Sequence, residues 1–107
     1  ELGILSNIDD DLLSGTLRRL SVQFGLLVTA QRLRSYKPAH AHFVEARRRI
    51  GDGRWLHAAQ SHFHDVVPAC RLGIPVAWIN RKAETAPGDA LPDQEMRTMA
   101  DLADWLT

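Results

Sequence analysis

The sequence is short of the features that mark a secreted, membrane-spanning or nucleic-acid-binding protein. Its single cysteine, Cys70, excludes a disulfide within the chain. Thirteen Lys and Arg residues balance thirteen Asp and Glu residues, so no net charge attracts nucleic acid or an anionic membrane. No apolar run approaches the roughly 20 residues of a spanning helix, and no signal peptide is recognisable. We therefore expect a cytoplasmic protein without a nucleic-acid or membrane partner.

The composition is that of an ordinary globular domain. Of the 107 residues, 45% are hydrophobic and 24% are charged. A chain of this length accommodates one domain at most, so we expect residues 1–107 to form a single domain. Its first residue is Glu1, and an apolar run follows at once, which suggests a segment of a longer protein.

Four short apolar runs alternate with helical patterns along the chain. This alternation predicts an α/β fold, Rossmann-like, with a parallel sheet and helices on both faces. The stretch 81–95 has the composition of a surface loop. The predicted strands are 2–6, 26–30, 54–59 and 74–80. The predicted helices follow Asp9, begin at Pro38, begin at Asp65 as an N-cap, and include Met99 to Leu106.

Polar residues follow the predicted strands, where α/β sheets bind their ligands. Hydroxyl, amide, lysine and carboxylate groups at one edge suit recognition of an anionic group and of developing negative charge. The candidates are Ser6 and Asn7 after the first strand, Tyr36 and Lys37 after the second, Gln60, Ser61, His64 and Asp65 after the third, and Asn80 and Arg81 after the fourth.

Each of these residues also has a purely structural interpretation. Ser6 and Asn7 can cap the following helix, and Asp65 can cap the next. The "HFHD" stretch at 62–65 also resembles a metal site, but a catalytic metal usually needs three converging protein ligands. His40 and His42, two apart on a predicted helix, do not share a face. We therefore favour a site without a histidine-bound metal.

Four stretches taken together resemble the haloacid dehalogenase superfamily. These are "ILSNID" (4–9), "SYKP" (35–38), "AQSHFHD" (59–65) and "IPVAWINR" (74–81), which are similar to motifs II, III and IV and the last core strand. The chain is most similar to 2-haloacid dehalogenases and to hydrolases that open azetidine-2-carboxylate. It would thus form the C-terminal part of one core domain.

The resemblance implies covalent catalysis by an aspartate that forms an ester, which water then hydrolyses. Ser6 would bind the anionic group of a small substrate, with Asn7 beside it. Lys37 would hold the nucleophilic carboxylate, and Asp65 would orient the water. The resemblance assigns supporting roles to Gln60, Ser61, His64 and Tyr36.

Three departures from the family pattern matter. The strand that carries the nucleophile and the cap domain are absent from these 107 residues, so the chain alone should be inactive. In the family the sheet order is 3-2-1-4-5, so the missing strand is the central one, and without it two half-sheets would each expose unpaired backbone groups. We therefore expect that the 107 residues do not form a full sheet alone. Either the remainder of the parent chain or another chain supplies the strand, or the two halves close up. Motif IV carries one acid, Asp65, preceded by a histidine, which favours C–X bond cleavage without a cofactor.

Two alternatives stay open. The first is a magnesium-dependent phosphatase of the same superfamily, in which Asp65 would contact Mg²⁺. The second is a non-catalytic remnant that serves as an interaction module. A homodimer is compatible with any of these functions.

Overall fold

The computed structural model describes residues 2–7, 25–29, 33–86 and 88–107. The predicted helix after Asp9, with Leu13, Leu17 and Leu20, lies outside these ranges. The chain divides into two compact units, Glu1–Gly53 and Arg54–Thr107, and each is described by itself.

The first unit contains a two-stranded parallel sheet. Strands β1 (Gly3–Ser6) and β2 (Leu26–Thr29) pair in register, so that Ser6 lies beside Thr29 at their carboxyl ends. Val28 and Thr29 are buried. The strands lie close to the predicted positions because both are short apolar runs bounded by polar residues or glycine.

Helix α1 (Ala41–Ile50) follows in the same unit and begins later than predicted. Pro38 does not open it, since residues 37–40 form turns first and His40 is the N-cap. The helix buries His42, Phe43 and Ala46. Its contacts are with β1 and β2, which places this buried face against the sheet.

The C-terminal end of α1 is exposed and basic. Arg47, Arg48 and Arg49 lie in the last turn, where positive charge is favourable to the helix dipole. The Arg47 guanidinium donates to the carbonyl oxygens of Gly51 and Gly53, at 3.2 and 2.9 Å. These bonds tie the following turn to the helix end.

The second unit contains a three-stranded parallel sheet in the order β3 (His57–Ala59), β4 (Val76–Ile79) and β5 (Gln94–Met96). All four residues of the central strand β4 are buried. The sequence prediction missed strand β5, because Gln94 and Glu95 lie inside the turn-rich stretch 81–95 and both are exposed.

Between β3 and β4 the chain forms a π turn (His62–Val66) that continues into the short helix α2 (Val67–Arg71). The N-cap of the π turn is Ser61, whose hydroxyl oxygen accepts a hydrogen bond from the His64 backbone N–H at 3.1 Å. The prediction that Asp65 caps the helix is therefore wrong. Asp65 lies inside the turn, and its side chain does not cap α2.

The last helix, α3 (Met99–Leu106), occurs where the sequence predicts it. The Thr98 hydroxyl caps its start by accepting a hydrogen bond from the Asp101 backbone N–H. Among the residues of this helix only Leu102 is buried, where it packs with Ala77 and Ile79. None of the helices in the described part of the chain is long and apolar enough to cross a membrane.

The described strands thus form two separate parallel sheets, which confirms the expectation of half-sheets. Within the described residues, β1 pairs only with β2, and β3 pairs only with β4. Both are therefore edge strands with one row of backbone donors and acceptors outside any ladder.

Gly51 adopts φ 68° and ψ −131°, a backbone conformation that side chains disfavour. We expect Gly51→Ala to lower the free energy of unfolding by about 1 to 3 kcal/mol. A Cβ there would meet no other atom within 4 Å, so the loss would come from the backbone alone. Urea denaturation measures it, with the exposed Asp52→Ala as control, for which we expect a change within about 0.5 kcal/mol. An unchanged midpoint for Gly51→Ala would contradict this conformation.

Candidate functional site

In the first unit, two predicted site residues bind each other directly. The Asn7 side-chain oxygen accepts a hydrogen bond from the Lys37 backbone N–H at 2.7 Å, and its Nδ2 donates to the Lys37 carbonyl oxygen at 3.2 Å. A side-chain amide can satisfy both backbone groups of one residue because it carries an acceptor and a donor side by side. Asn7 thus holds the backbone of Lys37 at the carboxyl end of β1.

The Lys37 side chain points to the same end of β1. Its Nζ donates to the Leu5 carbonyl oxygen at 3.0 Å. The structure therefore brings Ser6, Asn7 and Lys37 together and places a cation at the end of the strand.

His42 is a further residue of this cluster and was not among the predicted site residues. Its ring is fully buried, and Nε2 donates to the Ser6 carbonyl oxygen at 2.8 Å. The helical spacing indicated only that His40 and His42 lie on different faces, and the structure agrees, since His40 is exposed. Only the structure shows that His42 lies on the buried face of α1, together with Phe43 and Ala46.

Tyr36 is less closely associated with the cluster of Ser6, Asn7, Lys37 and His42 than these residues are with one another. Its side chain is 62% exposed, although it directly precedes Lys37.

Nearby, Arg34 has φ 51°, an unusual value for a residue other than glycine. Nothing in the described residues explains why arginine stands there.

In the second unit, the predicted residues Gln60, Ser61, His64 and Asp65 all lie at the carboxyl end of β3 or in the π turn. The Ser61 hydroxyl lies 2.9 Å from His64 Nδ1, to which it can donate while it accepts from the His64 backbone N–H. Gln60 is exposed, but its backbone carbonyl oxygen accepts a hydrogen bond from the indole N–H of Trp78 at 2.9 Å. This bond anchors the end of β3 to β4.

Asp65 is buried and has a partner that the sequence did not indicate. Its Oδ1 accepts a hydrogen bond from His57 Nε2 at 2.9 Å. His57 lies at the first position of β3, as expected for a residue within the sheet. Because a buried carboxylate is costly without hydrogen bonds, this contact makes the position of Asp65 tolerable.

His62 supports the loop rather than the site. Its ring is buried, donates from Nε2 to the Ala90 carbonyl oxygen at 2.9 Å, and packs edge-on against Trp78 with the ring centroids 4.9 Å apart. These contacts tie the π turn to the segment before β5.

The donor set offers little to a metal ion. Within the described residues, no three His, Cys, Asp or Glu side chains are grouped so that they can hold one. Asp65 supplies a single carboxylate, and His57 already donates to one of its oxygens. Magnesium prefers several oxygen ligands in octahedral geometry, so the described residues do not by themselves fit this ion.

Cys70 has no feature of a nucleophile. Burial raises the pKa of its thiol, and the negative charge of Asp93 raises it further. Its Sγ donates to the Leu91 carbonyl oxygen at 3.2 Å. A thiol with a raised pKa is a poor source of the reactive thiolate.

Comparison with known proteins gives matches among solved structures. No protein-family model and no curated protein matches the sequence. A HAD phosphatase from Thermococcus onnurineus is 28% identical with a TM-score of 0.80, over 99% of this chain and 50% of its own. An L-2-haloacid dehalogenase is 26% identical with a TM-score of 0.87, over 98% of this chain and 48% of its own.

A third match agrees in fold. The HAD hydrolase YfnB of Bacillus subtilis, solved with bound magnesium, is 20% identical with a TM-score of 0.88. It aligns with 100% of this chain over 49% of its own length. This chain therefore spans about half the length of the three structures.

The pairing of Asn7 with Lys37 can be tested through stability. We expect Asn7→Ala to lower the free energy of unfolding by about 1 to 3 kcal/mol, because both backbone groups of Lys37 lose their partner in a half-buried place. Urea denaturation measures the change. His40→Ala is a suitable control, since His40 is exposed and its side chain caps nothing. Equal stability of the two variants would contradict the pairing.

Proposed function

The chain has the fold of part of a haloacid dehalogenase core, and we propose that it forms the motif II to motif IV portion of a hydrolase. The proposed substrate is a small carboxylic acid with a leaving group at C2. The bond cleaved is carbon–halogen or, in a strained ring, carbon–nitrogen. One observation carries this proposal: the hydrogen bonds of Asn7 and of the Lys37 ammonium hold Lys37 at the carboxyl end of β1, beside Ser6.

The proposed reaction has two steps. A nucleophilic aspartate attacks C2, a C–O bond forms, and the leaving group departs with the electron pair of its bond to carbon. Water then attacks the carbonyl carbon of the resulting ester, which releases the 2-hydroxy acid and a proton and restores the carboxylate. Lys37 would hold that carboxylate and offset charge in the intermediate.

The remaining residues have roles before and after the attack. Ser6 would bind the substrate carboxylate through its hydroxyl, with Asn7 beside it. Asp65 would orient the hydrolytic water, with Ser61 and His64 near it in the π turn. Gln60 and Tyr36, both exposed, would have supporting roles.

We further propose that the nucleophile lies on an additional parallel strand, from the remainder of the parent protein or from another chain. Two observations support this proposal. No described strand ends in an Asp-x-Thr or Asp-x-Tyr sequence, and β1 and β3 are both edge strands in their sheets. We accordingly expect the 107 residues alone to be inactive. The single cysteine agrees with a reducing compartment, and we propose the cytoplasm.

A magnesium-dependent phosphatase is the second candidate. The 28% identity to a HAD phosphatase favours it. It would require further oxygen ligands for Mg²⁺ besides Asp65.

Substitution of Lys37 tests the leading proposal in the intact protein. We expect wild-type protein to release halide from L-2-chloropropionate without added metal, and Lys37→Met to lower kcat by about 100-fold or more, because it removes the cation beside the reacting carboxylate. Chloride release under saturating substrate measures this. Lys82→Met, at an exposed position, is the matched control and should retain activity.

The same assay separates the alternatives. Turnover of p-nitrophenyl phosphate with Mg²⁺, lost with EDTA, together with no halide release, would establish the phosphatase and contradict the dehalogenase proposal. Absence of both activities in the intact protein would favour the non-catalytic module. Hydrolysis of a 2-haloacid by purified residues 1–107 would contradict the placement of the nucleophile on an additional strand.

A further inference from the structure

The hydrogen bond between His57 and Asp65 joins two buried polar side chains. His57 is 8% exposed and Asp65 is 4% exposed, and Nε2 lies 2.9 Å from Oδ1. A hydrogen bond to a charged acceptor in a buried place is stronger than one between neutral exposed groups. The contact is therefore able to determine where the carboxylate points.

The two partners differ in how firmly the backbone holds them. His57 pairs with Val76 in the parallel ladder, and its N–H donates to the Pro75 carbonyl oxygen at 2.9 Å. Its ring also meets Trp55 edge-on, with the centroids 6.3 Å apart. His57 thus projects from a rigid strand.

Asp65 lies in a less regular part of the backbone. It lies in the π turn, where its N–H bonds to the Ser61 carbonyl oxygen at 3.2 Å and the next N–H reaches the same oxygen at 3.4 Å. Turns of this kind are rare and often occur at functional sites. Because these backbone hydrogen bonds are long and share one acceptor, the orientation of the Asp65 side chain depends on contacts with residues outside the π turn.

We propose that His57 is the positioning residue of Asp65. Donation from Nε2 fixes Oδ1 against β3, so that the carboxylate keeps one orientation in the resting protein. The catalytic consequence rests on the proposed function, in which Asp65 orients the hydrolytic water. The positioning itself does not rest on it and can be measured separately.

The first experiment measures positioning without activity. A double-mutant cycle in the intact protein compares unfolding of wild type, His57→Phe, Asp65→Asn and the double variant. We expect the two substitutions to be coupled. The unfolding equilibrium constant of the double variant should differ by about 10-fold or more from the value given by the product of the two single effects. Coupling below about 2-fold would overturn the proposal. The ring N–H proton of His57, observed by NMR, should also shift in Asp65→Asn.

The second experiment measures the catalytic consequence. We expect His57→Phe to lower kcat for the 2-haloacid by about 10- to 100-fold with kcat/KM changed less than about 3-fold, because Asp65 acts in hydrolysis of the ester and neither in substrate binding nor in the attack on C2. His57→Gln keeps a donor on a side chain of similar reach and should recover much of the loss. Equal losses in the two variants, or an effect confined to KM, would overturn the catalytic part.

His62→Phe provides the matched control. It makes the same exchange at another buried histidine, which donates to the Ala90 carbonyl oxygen and not to Asp65. We expect a loss of stability with kcat within about 3-fold of wild type. If the intact protein hydrolyses no 2-haloacid, the proposed function fails, while the coupling measurement still decides whether His57 positions Asp65.

Discussion

Parallel pairing of short apolar strands is the constraint on which the candidate residues of each unit depend. In the first unit, the pairing of β1 with β2 brings Ser6 to a shared edge with Thr29. In the second unit, the pairing of β3 with β4 holds His57 beside Val76 and leaves the chain to turn at Gln60. Parallel strands end at the same side of a sheet, so the polar residues that follow them are presented together.

Buried histidines then hold these strand ends in place. His42 donates to the carbonyl oxygen of Ser6, His57 to the carboxylate of Asp65, and His62 to the carbonyl oxygen of Ala90. In each case a ring nitrogen satisfies an oxygen that would otherwise be costly to bury. Of the histidines considered as metal ligands, His42 and His62 are thus explained as hydrogen-bond donors of the interior, each directed at a different oxygen.

Much of the fold was predictable because the spacing of hydrophobic residues and the position of turn residues indicate strands and helices locally, within a few residues of the chain. The four predicted strands lie where expected to within a few residues, and Gly51 ends α1 with positive φ. The misses also have physical causes. Pro38 did not start the helix because the chain stays in turns as far as His40, and β5 was not foreseen because most of its side chains are exposed.

The amino-acid sequence by itself determined the alternation of strands and helices, the residues at each strand end and the resemblance to the haloacid dehalogenases, since all of these follow from order and spacing along the chain. Only the tertiary structure decided which residues form hydrogen bonds with each other in the site. Asn7 and Lys37 are 30 residues apart, and His57 and Asp65 are separated by a turn whose π geometry no local pattern announces. Hydrogen bonds between such residues form only after the strands have paired, because their geometry is set by the fold and not by neighbours in the chain.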